Sequence, residues 1–91
     1  MALKITKEKA TPEKLQALQV ESWSPWECEP STFDWYYDSD ETAYVREGQV
    51  TVTCPDGEKV DIGPGDLVRF PKGLSCTWEV KKKIRKVFRF E

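Results

Sequence analysis

Residues 41–78 read ETAYVREGQVTVTCPDGEKVDIGPGDLVRFPKGLSCTW. Short apolar runs alternate there with turn signals at close, even spacing. The signals are Glu47-Gly48, Pro55-Asp56-Gly57, Gly63-Pro64-Gly65-Asp66 and Pro71-Lys72-Gly73. Proline presets φ and glycine supplies positive φ, so each cluster reverses the chain at low steric cost. Strands separated by turns this close pair mainly antiparallel, and the pattern predicts a small all-β sandwich or barrel.

The stretch also carries an ordered set of motifs. Glu41 is followed by Gly48 (E-x6-G). Gly65-Asp66 runs into Phe70-Pro71-Lys72-Gly73 (G-D-x3-F-P-K-G), and Cys76-Thr77-Trp78-Glu79-Val80 and Arg85-Lys86 follow. This set resembles the small single-domain cupins, and within them the (S)-ureidoglycine aminohydrolase cupin domain family. The resemblance covers roughly residues 20–90. It implies one domain over residues 1–91, an all-β double-stranded β-helix (a jelly-roll barrel) of antiparallel strands, with an N-terminal strand and short helix in residues 1–19. Cupins commonly dimerise, so it also implies a homodimer.

Composition bounds the function classes. Ninety-one residues make one domain. No apolar run approaches the length of a membrane span. The first residues, MALKITKEKATPEK, are charged, hold two acids and no Arg, and have no apolar centre, so neither a secretory signal nor a transit peptide is expected in them. Three cysteines, Cys28, Cys54 and Cys76, are an odd count without framework spacing, which suits a reducing compartment. The expected location is the cytoplasm, or an organelle if a transit peptide has been removed. Net charge is −2, but residues 1–66 carry −8 and residues 67–91 carry +6. The asymmetry is read as two oppositely charged solvated faces, with complementary head-to-tail association or anion binding as the alternative. An acidic chain without a recognition motif is not expected to bind nucleic acid.

Read in order, Leu3–Thr6 alternates apolar and polar and predicts an edge strand. Thr11-Pro12-Glu13 is a helix start, with Thr as N-cap, Pro at the first helical position and an acid in the first turn. The helix is predicted over Pro12–Leu18, with Leu15 and Leu18 as its buried stripe and Lys7, Lys9 and Lys14 in water. Glu21–Pro30 has two prolines and no periodicity; it reads as an extended connection whose Trp23 and Trp26 cover one end of the barrel. Strands are predicted over Thr32–Tyr37, Glu41–Arg46, Gln49–Thr53, Lys59–Ile62, Leu67–Phe70, Ser75–Val80 and Ile84–Phe90. Glu47-Gly48 and Lys81-Lys82-Lys83 are read as turns between them. Asp66 is expected to bond backbone amides of its own turn.

The chemistry turns on what the cupin resemblance lacks here. It implies a divalent metal held by H-x-H, a Glu and a third His, nitrogen and oxygen donors that leave positions open for substrate. This chain has no histidine. Counted from Glu41 and from Pro71-x-Gly73, the His positions fall on Trp35, Tyr37 and Cys76. Only Glu41 keeps its type, so no metal and no other cofactor is expected. Two indoles, a phenol, a carboxylate and a thiol then predict a pocket of Trp35, Tyr37, Glu41, Cys76 and Trp78 for a small polar molecule. A desolvated Glu41 would act as general acid or base, and Cys76 as nucleophile only with a stabilised thiolate. If the barrel is filled instead, Glu41 needs a buried partner, with Tyr37 or Arg69 as the candidates. No glycine cluster forms a phosphate loop. Three functions follow: a metal-free small-molecule binder is the leading one, an enzyme using Glu41 comes second, and a homodimeric interaction module third.

Overall fold

The computed structural model describes residues 4–90. The chain runs β1 (Thr6–Lys9), α1 (Pro12–Leu18), a 3-10 turn (Val20–Ser22), β2 (Ser24–Cys28), β3 (Ser31–Tyr36), β4 (Glu41–Thr53), β5 (Lys59–Ile62), β6 (Asp66–Phe70) and β7 (Ser75–Phe90). Every strand pairing is antiparallel.

Two long strands organise the barrel. β4 and β7 pair from Glu41↔Phe90 to Thr53↔Thr77. On its other side the first part of β4 pairs with β6 and the last part with β5. The last part of β7 pairs with β2 and its first part with β3. A single seven-stranded sheet, β1-β6-β4-β7-β2 with β5 and β3 attached to the far ends of the long strands, thus folds over on itself as a jelly roll. The core lies between the layers, where Val50, Val52, Ile62, Phe70, Leu74 and Ile84 are buried. Alternation in β4 puts Glu41, Ala43 and Val45 on the inner face, as the sequence predicts.

Two predicted turns are absent. Glu47-Gly48 lies inside β4, and Lys81–Lys83 lies inside β7. At Gly48 the ladder is bulged instead, with register shifts between Val45 and Glu47, Glu47 and Gln49, and Gln49 and Val50. A bulge bends both strands without ending them. Gly48 has φ +99°, and a Cβ there would lie 2.3 Å from the Lys83 carbonyl oxygen, so the two backbones meet too closely for any side chain. The lysine run stays extended, and it holds none of the Gly, Asn or Asp residues that tight hairpin turns prefer. In the strand Lys83 instead reaches Glu27 and Glu29, each at 3.4 Å.

The N-terminal region is shifted from its prediction. The edge strand is Thr6–Lys9, not Leu3–Thr6; Leu3 is outside the described residues. Its side chains are all exposed, so it has no apolar pattern to read, and it forms by adding backbone to the edge of β6. α1 matches its predicted bounds, with the Thr11 hydroxyl accepting from Lys14 N–H at 3.2 Å. Leu15 and Leu18 are partly buried against a small outer cluster of Val20, Trp23, Leu67 and Val87. Glu21–Pro30 is not one irregular connection, because Ser24–Cys28 is a strand. Pro25 is tolerated there because β2 ends the strand order, where a missing N–H breaks no ladder. Asp66 behaves as read: its carboxylate accepts Gly63 N–H at 2.8 Å and also pairs with Lys9 at 3.0 Å.

Candidate functional site

The strand register brings one lysine into an apolar face. On β7, Ile84, Lys86, Phe88 and Phe90 share a side by alternation. Lys86 lies opposite Trp26 of β2, while Phe33 of β3 lies opposite Trp78. Trp26, Phe33, Trp78 and Phe88 line a cavity of about 220 Å³, and the buried Glu41 and Lys86 form its floor. Lys86 Nζ donates to Glu41 Oε2 at 2.8 Å. Glu41 is 4% exposed and Lys86 7%.

The ammonium sits in an aromatic cage. Its nitrogen lies 4.9 Å from the Trp78 ring centre, 5.0 Å from Trp26, 5.3 Å from Phe88 and 5.9 Å from Phe70. Ring faces carry negative potential and attract a desolvated cation. The rings also brace one another: Trp26 meets Trp78 edge-on at 6.0 Å, and Phe33 stacks on Trp78 at 6.2 Å. Burial pulls the Lys86 amine below the ordinary lysine value, against the opposing pull of Glu41. Tyr37 stacks on Phe70 at 4.8 Å, and burial pushes its phenol well above the ordinary tyrosine value, with the charge of Glu41 adding to the effect. Trp78 Nε1 is buried and makes no hydrogen bond among the described residues.

Of the residues expected in one pocket, Trp35, Tyr37, Glu41 and Trp78 line this cavity. Trp35 is 48% exposed and, with Phe90 at 58%, stands at the rim. Cys76 is outside the cavity's lining and borders a separate surface hollow beside Cys54, Trp35 and Asp34. Its Sγ donates to the Trp35 carbonyl at 3.7 Å, and burial pushes the thiol up to about 11. A thiol so placed stays protonated, which is the reverse of what a nucleophile needs.

The buried partner of Glu41 is neither Tyr37 nor Arg69. Arg69 points outward from β6 by strand alternation and bonds Asp40 at 3.0 Å. Lys86 takes the place instead, and the signal for it was its position between Ile84 and Phe88 at strand spacing. The two tryptophans expected as a joint cover divide: Trp26 enters the cage, and Trp23 joins the outer cluster beneath Arg89, whose guanidinium lies 5.1 Å from its ring centre.

The residues do not fit a metal of the usual cupin kind. Trp35 offers no donor, Tyr37 keeps its proton, Cys76 lies elsewhere, and the Glu41 carboxylate is engaged by an ammonium. Among the described residues no three His, Cys, Asp or Glu side chains gather to hold a metal ion. No helix among them is long and apolar enough to cross a membrane.

The EutQ-like cupin domain matches residues 15–88. A DUF861 family protein from Thermotoga maritima is 53% identical and superposes with a TM-score of 0.95, over 97% of this chain and 100% of that one. The structure of the EutQ protein of Clostridium difficile gives 32% identity and a TM-score of 0.67, over 72% of this chain and 52% of that one. An acetate kinase, EutQ, of Clostridioides difficile (strain 630) is 34% identical over 62 residues, which are 68% of this chain and 39% of that protein. The chain therefore spans about two fifths of the curated relative it matches.

Proposed function

The chain belongs to the EutQ-like cupin family, and from that premise we propose that its barrel binds a small molecule with a flat apolar body and one polar group, without a His-ligated metal. The observation that carries this is the Glu41–Lys86 pair on the floor of an aromatic cavity. Rings on several sides favour a planar apolar body, and a single charged pair at the bottom fixes its polar end. Lys86 has three N–H donors and gives one to Glu41, so a guest's oxygen has hydrogen bonds to gain. The internal ammonium supplies the positive charge that a metal supplies in cupins bearing the full ligand set.

No named activity is carried over. The (S)-ureidoglycine aminohydrolase cupins enter only as a resemblance of sequence motifs, and the metal that resemblance implies has no holding residues here. The kinase relative extends well beyond the matched segment.

Benzyl alcohol, benzoate and benzylamine share one ring and differ in the polar group, so they form a suitable probe series. Tryptophan fluorescence and chemical-shift mapping are expected to show saturable binding at Trp26, Trp78 and Phe88, strongest for the two probes with an acceptor oxygen. Trp35→Ala should weaken it. Shifts scattered over the surface, or no saturation for any of the three, would refute the reading.

A further inference from the structure

We propose that Lys86 is a carbonyl-reactive amine, and that the cavity takes aldehydes with an apolar or aromatic body and holds them as a Schiff base. This inference rests on the binding reading above and names the ligand class for the same site. The geometry supplies four things that imine formation needs. The amine lines a cavity while Lys86 itself is only 7% exposed. A carboxylate that can accept and return a proton lies 2.8 Å from it. The cage of ring faces that holds the ammonium holds an iminium equally well, because the positive charge stays on the same nitrogen. Finally, among the described residues no lysine or arginine besides Lys86 lines the cavity, so no other amine competes there for the aldehyde. Desolvation in an apolar pocket is a recognised way to free a lysine amine for attack on a carbonyl, and the lowered proton affinity of Lys86 agrees with it.

The step balances without any added oxidant or reductant. Glu41 Oε2 takes one proton from the ammonium. The freed lone pair forms the N–C bond at the carbonyl carbon, and the carbonyl π electrons move to oxygen, which takes up the proton that Glu41 received. A second nitrogen proton then passes through Glu41 to that hydroxyl, the C–O bond breaks, and water leaves. One ammonium and one aldehyde become one iminium and one water, and the iminium remains beside a charged Glu41. The substrate class follows from the walls, since a charged or strongly polar body would lose its hydration against Trp26, Phe33 and Phe88.

The test treats the full chain with benzaldehyde and sodium cyanoborohydride, which reduces iminium ions in preference to the aldehyde. Peptide mapping then reads the benzylated lysines, and tryptophan fluorescence with benzaldehyde alone reads entry. The expected result is a Lys86 adduct severalfold above those on the exposed Lys81 and Lys82 of the same strand, because only Lys86 lines a cavity that gathers the aldehyde beside a carboxylate. The adduct should be lost in Lys86→Arg and reduced in Glu41→Gln, with circular dichroism confirming that both variants are folded. Equal labelling of Lys81, Lys82 and Lys86 in the wild type overturns the proposal. Saturable quenching without a Lys86 adduct overturns it and leaves the binding reading standing. Absence of both quenching and adduct overturns the two together.

Discussion

Replacing Lys86 by Met would leave the Glu41 carboxylate buried and unpaired. The pair is 2.8 Å apart with both side chains over nine-tenths buried, so it is the kind whose rupture costs about 3–5 kcal/mol. A domain of 91 residues has about 5–14 kcal/mol of stability in total. The loss is then a large share of it, a fall in midpoint of roughly 12–40 °C. Glu41→Leu should cost less. The bare Lys86 keeps its ring contacts, each worth about 0.5–2 kcal/mol, and it can shed its proton. The double variant Glu41→Leu with Lys86→Met should recover most of the loss, because an apolar pair of similar volume needs no solvation. Urea denaturation of the four proteins, with midpoints and slopes compared, completes the cycle. If Lys86→Met costs under about 1 kcal/mol, or if the two single changes add within about 0.5 kcal/mol, the carboxylate is not held by this ammonium and the reasoning fails.

Gly48→Ala places a methyl 2.3 Å from the Lys83 carbonyl oxygen at a φ of +99°; it should destabilise by about 3 kcal/mol or more, read by thermal melting, whereas Gly57→Ala meets nothing within 4 Å and should cost only about 1 kcal/mol of backbone strain. The Cys76 thiol, raised from 9.0 to about 11, binds its proton more tightly folded than unfolded. The stability this provides is complete below pH 9 and is lost by pH 11, roughly 2.5 kcal/mol in all. Tyr37 adds loss in the same direction above about pH 10, while Lys86, with its lowered affinity, opposes both as pH rises toward 10.5. Urea midpoints from pH 8 to 11 should therefore fall less steeply in Cys76→Ala than in the wild type; parallel slopes would show that the thiol titrates as in the unfolded chain. Thr11→Ala removes the acceptor for Lys14 N–H and should cost about 1 kcal/mol without changing the barrel spectrum.

Much of the barrel was legible because its signals are local. The turns at Gly57, Gly65 and Gly73 need positive φ, which glycine supplies, and all three have it. Alternation assigned Glu41, Ala43 and Val45 to the inside, and the Thr11-Pro12 start marked the helix. The signals misled where one local pattern suits two geometries. Glu47-Gly48 is equally good chemistry for a hairpin and for a bulge. The choice was made by the Lys83–Ile84 backbone pressing on Gly48, 35 residues away in the chain. The lysine run similarly looked like a solvated turn until the acidic partners on β2 and just after it were in place. β1 carries no apolar pattern at all and exists because β6 had an open edge.

The candidate site divides along the same line. Composition and residue order set which chemistry was available: no histidine, one carboxylate at the cupin position, and a surplus of aromatic rings near it. Those are facts of composition and order, and no folding changes them. Which groups meet was settled by the closed sheet. It put Lys86 against Glu41 across 45 positions of chain, brought Trp26 into the cage through its register with β7, and separated Cys76 from the cavity. The reason is physical. Strand alternation says which face a residue takes, but pairing register and sheet curvature decide what lies opposite, and a lysine's long stem reaches a buried carboxylate only after the sheet has closed.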